Sequence, residues 1–136
     1  MRRMVSALVG IGLAIGAASA VYAESMDPVV VGPTVYKMIF ENDKVRVSEI
    51  SFDPGESIGM HSHPDHFVYV LAAGTIKITK SDGTFMDFIG TPGQIVWIPA
   101  ESHQAVNIGT TEFRALVVEL KPLPYEEHTM AEPAAP

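Results

Sequence analysis

Between Val35 and Leu120 the apolar positions come in short runs, spaced at roughly ten-residue intervals and separated by Gly, Pro, Asn and Asp, as in all-β domains. The runs are Val35–Phe40, Val45–Phe52, Ser57–His63, Phe67–Ala73, Thr75–Lys80, Thr84–Ile89, Gln94–Pro99 and Phe113–Leu120. In Thr75–Lys80, Ile76 and Ile78 fall on one face and Lys77 on the other, the period of two expected of a half-buried strand. Val45–Phe52 is ambiguous, because Val45, Val47, Glu49 and Ser51 alternate with Arg46, Ser48, Ile50 and Phe52, and neither set is cleanly apolar. Glu41-Asn42-Asp43, Asp53-Pro54-Gly55, Ser81-Asp82-Gly83 and Thr91-Pro92-Gly93 supply the turns. Helical periodicity is absent beyond residue 23. The pattern predicts an all-β sandwich or barrel over residues 34–121.

The N-terminus follows a different plan. Arg2 and Arg3 precede an apolar, Ala- and Gly-rich run from Val5 to Ala20, and Val21-Tyr22-Ala23 ends in small-residue cleavage spacing. Residues 1–23 read as a signal peptide, so the protein is expected to be exported, periplasmic or secreted, with no membrane attachment after cleavage. Residues 24–33 form a leader along the domain edge, and residues 122–136, rich in Pro, Ala and acids, a flexible tail in which His128 is a bystander. The chain contains no cysteine, which excludes structural disulfides. Its formal charge is −7, and it becomes more acidic once Arg2 and Arg3 are removed, so nucleic acid is not an expected partner.

The candidate chemistry lies in the histidines. Three of the five, His61, His63 and His66, fall within one short stretch. His61 and His63 share a face of an extended strand, and Pro64-Asp65 can turn His66 back toward them. Met60 falls on the opposite face of a regular strand. Downstream, Gly93, Pro99, His103 and Asn107 repeat the plan of a glycine, five residues and a key position, then a histidine on a following strand. Imidazoles converging on one face form a metal-site pattern.

These two stretches resemble the paired motifs of a small single-domain cupin. The first is carried by Gly55, His61, His63, His66 and the Ala73-Gly74 pair, the second by Gly93, Pro99, His103 and Asn107. The resemblance spans Val35 to Leu120. It implies a double-stranded β-helix, the jelly-roll cupin barrel, with inward histidines around one divalent metal ion. The sequence departs from the family pattern in several places. His66 stands where a glutamate is usual and follows His63 at a short gap, Ala73 and Glu101 occupy glycine places, and His103 comes one residue early. The implied ligand set, His61, His63, His66 and His103, is therefore all nitrogen. It suits iron, copper, nickel, manganese or zinc better than magnesium or calcium, and it leaves the ion's charge uncancelled by any ligand.

Val68 or Phe67, Val70 or Tyr69, Met86 or Phe88, Trp97, and Val117 or Glu119 are the expected pocket walls, with no Arg or Lys directed inward. Glu101, on the pocket lip, is the lesser candidate for a catalytic base. Serine-nucleophile and phosphate-loop motifs are lacking. The expected activity is that of a metal-dependent dioxygenase-like oxidoreductase or isomerase acting on a small oxygenated compound. The alternative is a non-catalytic barrel that holds a metal or small ligand. A homodimer is the expected assembly.

Overall fold

The computed structural model describes residues 26–122. The signal-peptide expectation, residues 24 and 25 of the leader, and residues 123–136 of the tail with His128 lie outside them. The chain opens with a single helical turn, α1 (Pro28–Val31), capped by Asp27, whose Oδ1 accepts from Val29 N at 2.9 Å. This turn is a departure from the strand-only reading. Three β-branched valines are poor helix formers, but Asp at the cap and Pro at the first position nucleate one turn locally.

Nine strands follow: β1 (Tyr36–Glu41), β2 (Val45–Phe52), β3 (Ser57–His63), β4 (His66–Ala72), β5 (Gly74–Lys80), β6 (Phe85–Gly90), β7 (Ile95–Ile98), β8 (Glu101–Asn107) and β9 (Phe113–Leu120). They form two antiparallel sheets, β1-β2-β9-β4-β7 and β3-β8-β5-β6, packed face to face. Phe52, Ile58, Val70, Ile76, Phe113, Ala115 and Val117 are buried between them. Each large side chain so buried contributes about 1.5–3 kcal/mol.

The two motif glycines have one job. Asp53-Pro54-Gly55-Glu56 and Thr91-Pro92-Gly93-Gln94 are closed by Glu56 N to Asp53 O at 2.9 Å and Gln94 N to Thr91 O at 3.0 Å. In each, Pro is the second residue, and Gly, at φ 81° or 86°, is the third. This is the turn that requires a left-handed residue there. Asn107 has a comparable architectural role. Its buried amide donates to Phe52 O at 2.9 Å and Thr111 O at 2.8 Å, and its oxygen accepts from Gly109 N at 2.8 Å.

The ambiguous strand β2 turns its Arg46, Ser48, Ile50 and Phe52 set inward. Arg46 is tolerated there because Glu119 and Asp27 neutralise it, at 2.5 and 2.6 Å. Val47 is left on the outer face of the larger sheet. There it stands in a cross-strand row with Phe40, Val118, Phe67 and Trp97, one residue from each of the five strands.

Candidate metal centre

His61 and His63 lie at the end of β3, and His103 lies directly opposite His61 on β8. The spacing works because β3 is not regular. A register shift between Ile58 and His61 lets both point inward although they are three residues apart. The inserted residue re-aims the strand, as bulges do beside functional sites. His61, His63 and His103 are buried and offer ring nitrogens within 4.8 Å of one another. His66 opens β4 immediately after the Pro64-Asp65 turn, which Asp65 anchors by accepting from Ala100 N at 2.8 Å. It is also buried, with its ring centroid 4.6 Å from that of His63, beside the group of three rather than within it.

All four rings are held in the same sense. Nδ1 of His61 lies 2.8 Å from Gly59 O, and Nδ1 of His66 lies 2.8 Å from Pro64 O. Nδ1 of His63 lies 2.7 Å from Glu119 Oε1, and Nδ1 of His103 lies 2.8 Å from Glu101 Oε1. Carbonyls and carboxylates only accept, so each Nδ1 carries the hydrogen and each Nε2 keeps its lone pair. His61 Nε2 is buried without a hydrogen-bond partner among the described residues. An orphaned buried acceptor is costly, and a cation would satisfy it. The donor set therefore fits a transition metal ion. Burial, with the neighbouring imidazoles adding to it, lowers His61 and His103 to about 4 and depresses His63 as well, so the rings are neutral and able to ligate at neutral pH.

Two carboxylates stand directly behind the imidazoles, so the charge of the centre is not that of an ion among neutral rings alone. Burial pushes Glu119 upward, but hydrogen bonds from His63 and Arg46 outweigh it and hold the carboxyl below its ordinary value. Glu101, on which a base role was suggested, opens β8 with both oxygens engaged, one on His103 and one 3.2 Å from Lys80 Nζ. Its pKa is lowered too, the contacts with His103 and Lys80 overcoming partial burial, which weakens it as a base.

A cavity of about 290 Å³ opens beside the histidines, at the small end of ligand pockets. Its walls include the expected Val68, Met86, Phe88 and Val117, and also the expected Trp97, which is otherwise exposed on the outer face of edge strand β7. Lys80 also lines it, contrary to the expectation of no inward cation; its position at the end of β5, opposite His103, carries it to the rim. Sequence reasoning missed Tyr36, whose hydroxyl lies 3.3 Å from His63 Nε2. Nor did it single out the Glu119–Arg46–Asp27 chain. A lone acid in the otherwise apolar end of β9 was the available signal.

A family model described as "Cupin domain" matches residues 48–119. Among solved structures, a cupin domain from Bordetella pertussis Tohama I is 27% identical with a TM-score of 0.60, covering 65% of this chain and 93% of that one. A cupin superfamily protein from Desulfitobacterium hafniense DCB-2 is 26% identical with a TM-score of 0.50, over 65% and 77%. The polyketide cyclase RemF from Streptomyces resistomycificus is 25% identical with a TM-score of 0.50, over 65% and 66%. No curated protein matches the chain.

Proposed function

Because the chain belongs to the cupin family, we propose that it is a metal-dependent enzyme acting on a small, largely apolar compound that carries oxygen, as a dioxygenase-like oxidoreductase or an isomerase. The observation behind this reading is the common orientation of the four rings, with every Nδ1 tied back, His61 Nε2 buried without a partner, and His63, His66 and His103 on the wall of a largely apolar cavity. His61, His63 and His103 would hold one divalent transition metal ion, with His66 as a fourth ligand. When bound, such an ion supplies a Lewis acid that polarises a ligand's oxygens. The chain's own residues do the rest. Burial keeps the His61, His63 and His103 imidazoles neutral, and Glu119 and Glu101 fix the orientation of His63 and His103 and strengthen them as donors. Ile50, Phe52, Phe88 and Val117 exclude water and seat a hydrocarbon body, while Lys80 at the rim offers a charge partner to an anionic group.

A barrel that holds a metal or ligand without turnover is the second reading. It is favoured by the engagement of both carboxylates that touch the histidines, which leaves neither free as a base. The similar polyketide cyclase keeps a non-oxidative reaction in view. Metal analysis of the purified protein, followed by oxygen uptake with catechol- and flavonol-like compounds, separates these readings. Stoichiometric iron, copper, nickel or manganese with uptake supports the oxidoreductase. A tightly held metal with neither uptake nor conversion supports the binding barrel, and a metal-free protein after metal-replete expression rules out both metal readings.

Export after removal of residues 1–23 is part of the same proposal and rests on the basic start and apolar run of the sequence. We assign the outer face of the five-stranded sheet to a second copy of the chain. Its Phe40, Val47, Val118, Phe67 and Trp97 row has no charge, and Phe40 and Trp97 are each 53% exposed.

A further inference from the structure

We propose that the Tyr36 hydroxyl is the pocket's hydrogen-bond donor to the bound small molecule, and that it becomes free for this role when the Nε2 lone pair of His63 is taken up by a metal. The inference rests on the metal-centre reading above. Tyr36 opens β1 and is buried, its ring set against His61 and His63 with centroids 5.7 and 5.9 Å away. It lines the cavity, and its hydroxyl lies 3.3 Å from His63 Nε2.

The direction of that bond follows from the other side of the ring. The Glu119 carboxylate accepts from His63 Nδ1, so the hydrogen is there and Nε2 is bare. Tyr36 must therefore be the donor. A single lone pair cannot serve both a phenol hydrogen and a cation, so the two compete for it. Burial, with the Glu119 charge adding to it, raises the Tyr36 pKa well above the ordinary phenol value, which keeps the hydrogen on the oxygen.

Once displaced, the hydroxyl is left on the wall of the same cavity, where Ile50, Phe52 and Phe88 have no side-chain acceptor, the Glu101 oxygens are engaged by His103 and Lys80, and the imidazole lone pairs would be on the ion. A buried hydroxyl without a partner is unfavourable, so the site rewards an occupant that supplies an acceptor oxygen at that point. The ligand class this selects is a compact apolar compound with two neighbouring oxygens, one for the metal and one, as ketone, enolate or phenolate, for Tyr36. Loading with metal thus both creates the ligand's anchor and switches on its hydrogen-bond donor.

The test compares wild type with Tyr36→Phe, which keeps the ring and its packing. Metal-free protein is titrated first with cobalt(II) and then with tropolone, a planar apolar compound with two adjacent oxygens. Tyr36→Phe should bind cobalt at least as tightly as wild type, because no hydrogen bond has to be broken. The cobalt-loaded variant should bind tropolone about five-fold or more weakly, the loss of one hydrogen bond. Equal tropolone affinity in the two loaded proteins would overturn the proposal while leaving the metal centre intact. Weaker cobalt binding by Tyr36→Phe would overturn it as well, since Tyr36 would then be supporting the ion. If wild type takes up no cobalt, the metal-centre reading fails and the inference with it.

Discussion

Glu119 is the residue whose replacement reads out the centre most directly. Its two oxygens face two N–H donors, His63 Nδ1 at 2.7 Å and Arg46 Nε at 2.5 Å. In Glu119→Gln one of these oxygens becomes an amide that donates, so the side chain can serve only one of its neighbours. If the remaining oxygen faces His63, Arg46 meets a donor and loses one of its two carboxylate partners. The other orientation presents the amide to His63 Nδ1 and drives the ring hydrogen to Nε2, removing the lone pair a metal requires. Loss of such an orienting partner weakens metal binding ten- to hundred-fold, about 1.4–2.8 kcal/mol. Arg46 is 18% exposed and keeps Asp27, so the stability loss should be about 1–3 kcal/mol rather than that of a fully abandoned buried charge. Competitive titration of metal-free protein with zinc against a chelator measures the first quantity, and urea unfolding measures the second. Glu119 also sets a pH dependence. Its folded pKa is depressed, so its contribution is present above the ordinary carboxylate range and is lost as pH falls through the folded value; the variant should lack that component. Wild-type zinc affinity in Glu119→Gln, with stability lowered, would refute the orienting role and leave Glu119 as an Arg46 counter-ion only.

Three further outcomes are expected. His61→Ala should abolish stoichiometric metal, as measured by elemental analysis, whereas His128→Ala should leave it unchanged; equal effects would mean the centre is misplaced. The metal-free protein should lose stability as pH falls from the ordinary histidine value of 6.5 to about 4, because the unfolded chain takes up protons there that buried His61 and His103 refuse. Each contributes up to about 3 kcal/mol, so thermal melts that stay flat over this window would contradict their burial as neutral rings. Trp97→Lys, which places a charge in the outer row of the larger sheet, should convert a dimer to monomers in sedimentation; a monomeric wild type would remove the second copy from that face.

The parts of the fold legible from sequence were those encoded locally. Short runs bounded by turn residues located β2, β3 and β9 at the observed bounds, and Pro-Gly turns marked the starts of both motifs. The resemblance to paired motifs implied that His61, His63 and His103 converge; the register that sets His61 opposite His103 comes from the pairing of β3 with β8. What could not be read were contacts made by strands remote in sequence. Tyr36 reaches His63 across 27 positions, Glu119 reaches it across 56, and Arg46 reaches Glu119 across 73. Such partners are chosen by sheet order, which no single run of residues specifies. The same explains β2, where an inward arginine and outward valines spoiled the alternation. Both make sense once Glu119 lies on the adjacent strand and Val47 stands in a row across five.

The four acceptors behind the imidazoles also bear on the thermodynamics of loading. Two are backbone carbonyls and two are carboxylates pinned by Arg46 and Lys80, so the rings' torsional freedom is spent when the strands assemble rather than when an ion arrives. Small metal-dependent domains couple ion capture to folding. Here protein acceptors orient each ring, and capture should proceed with little change in heat capacity. Its affinity then reflects donor chemistry and dehydration of the ion, with almost no ordering entropy to offset.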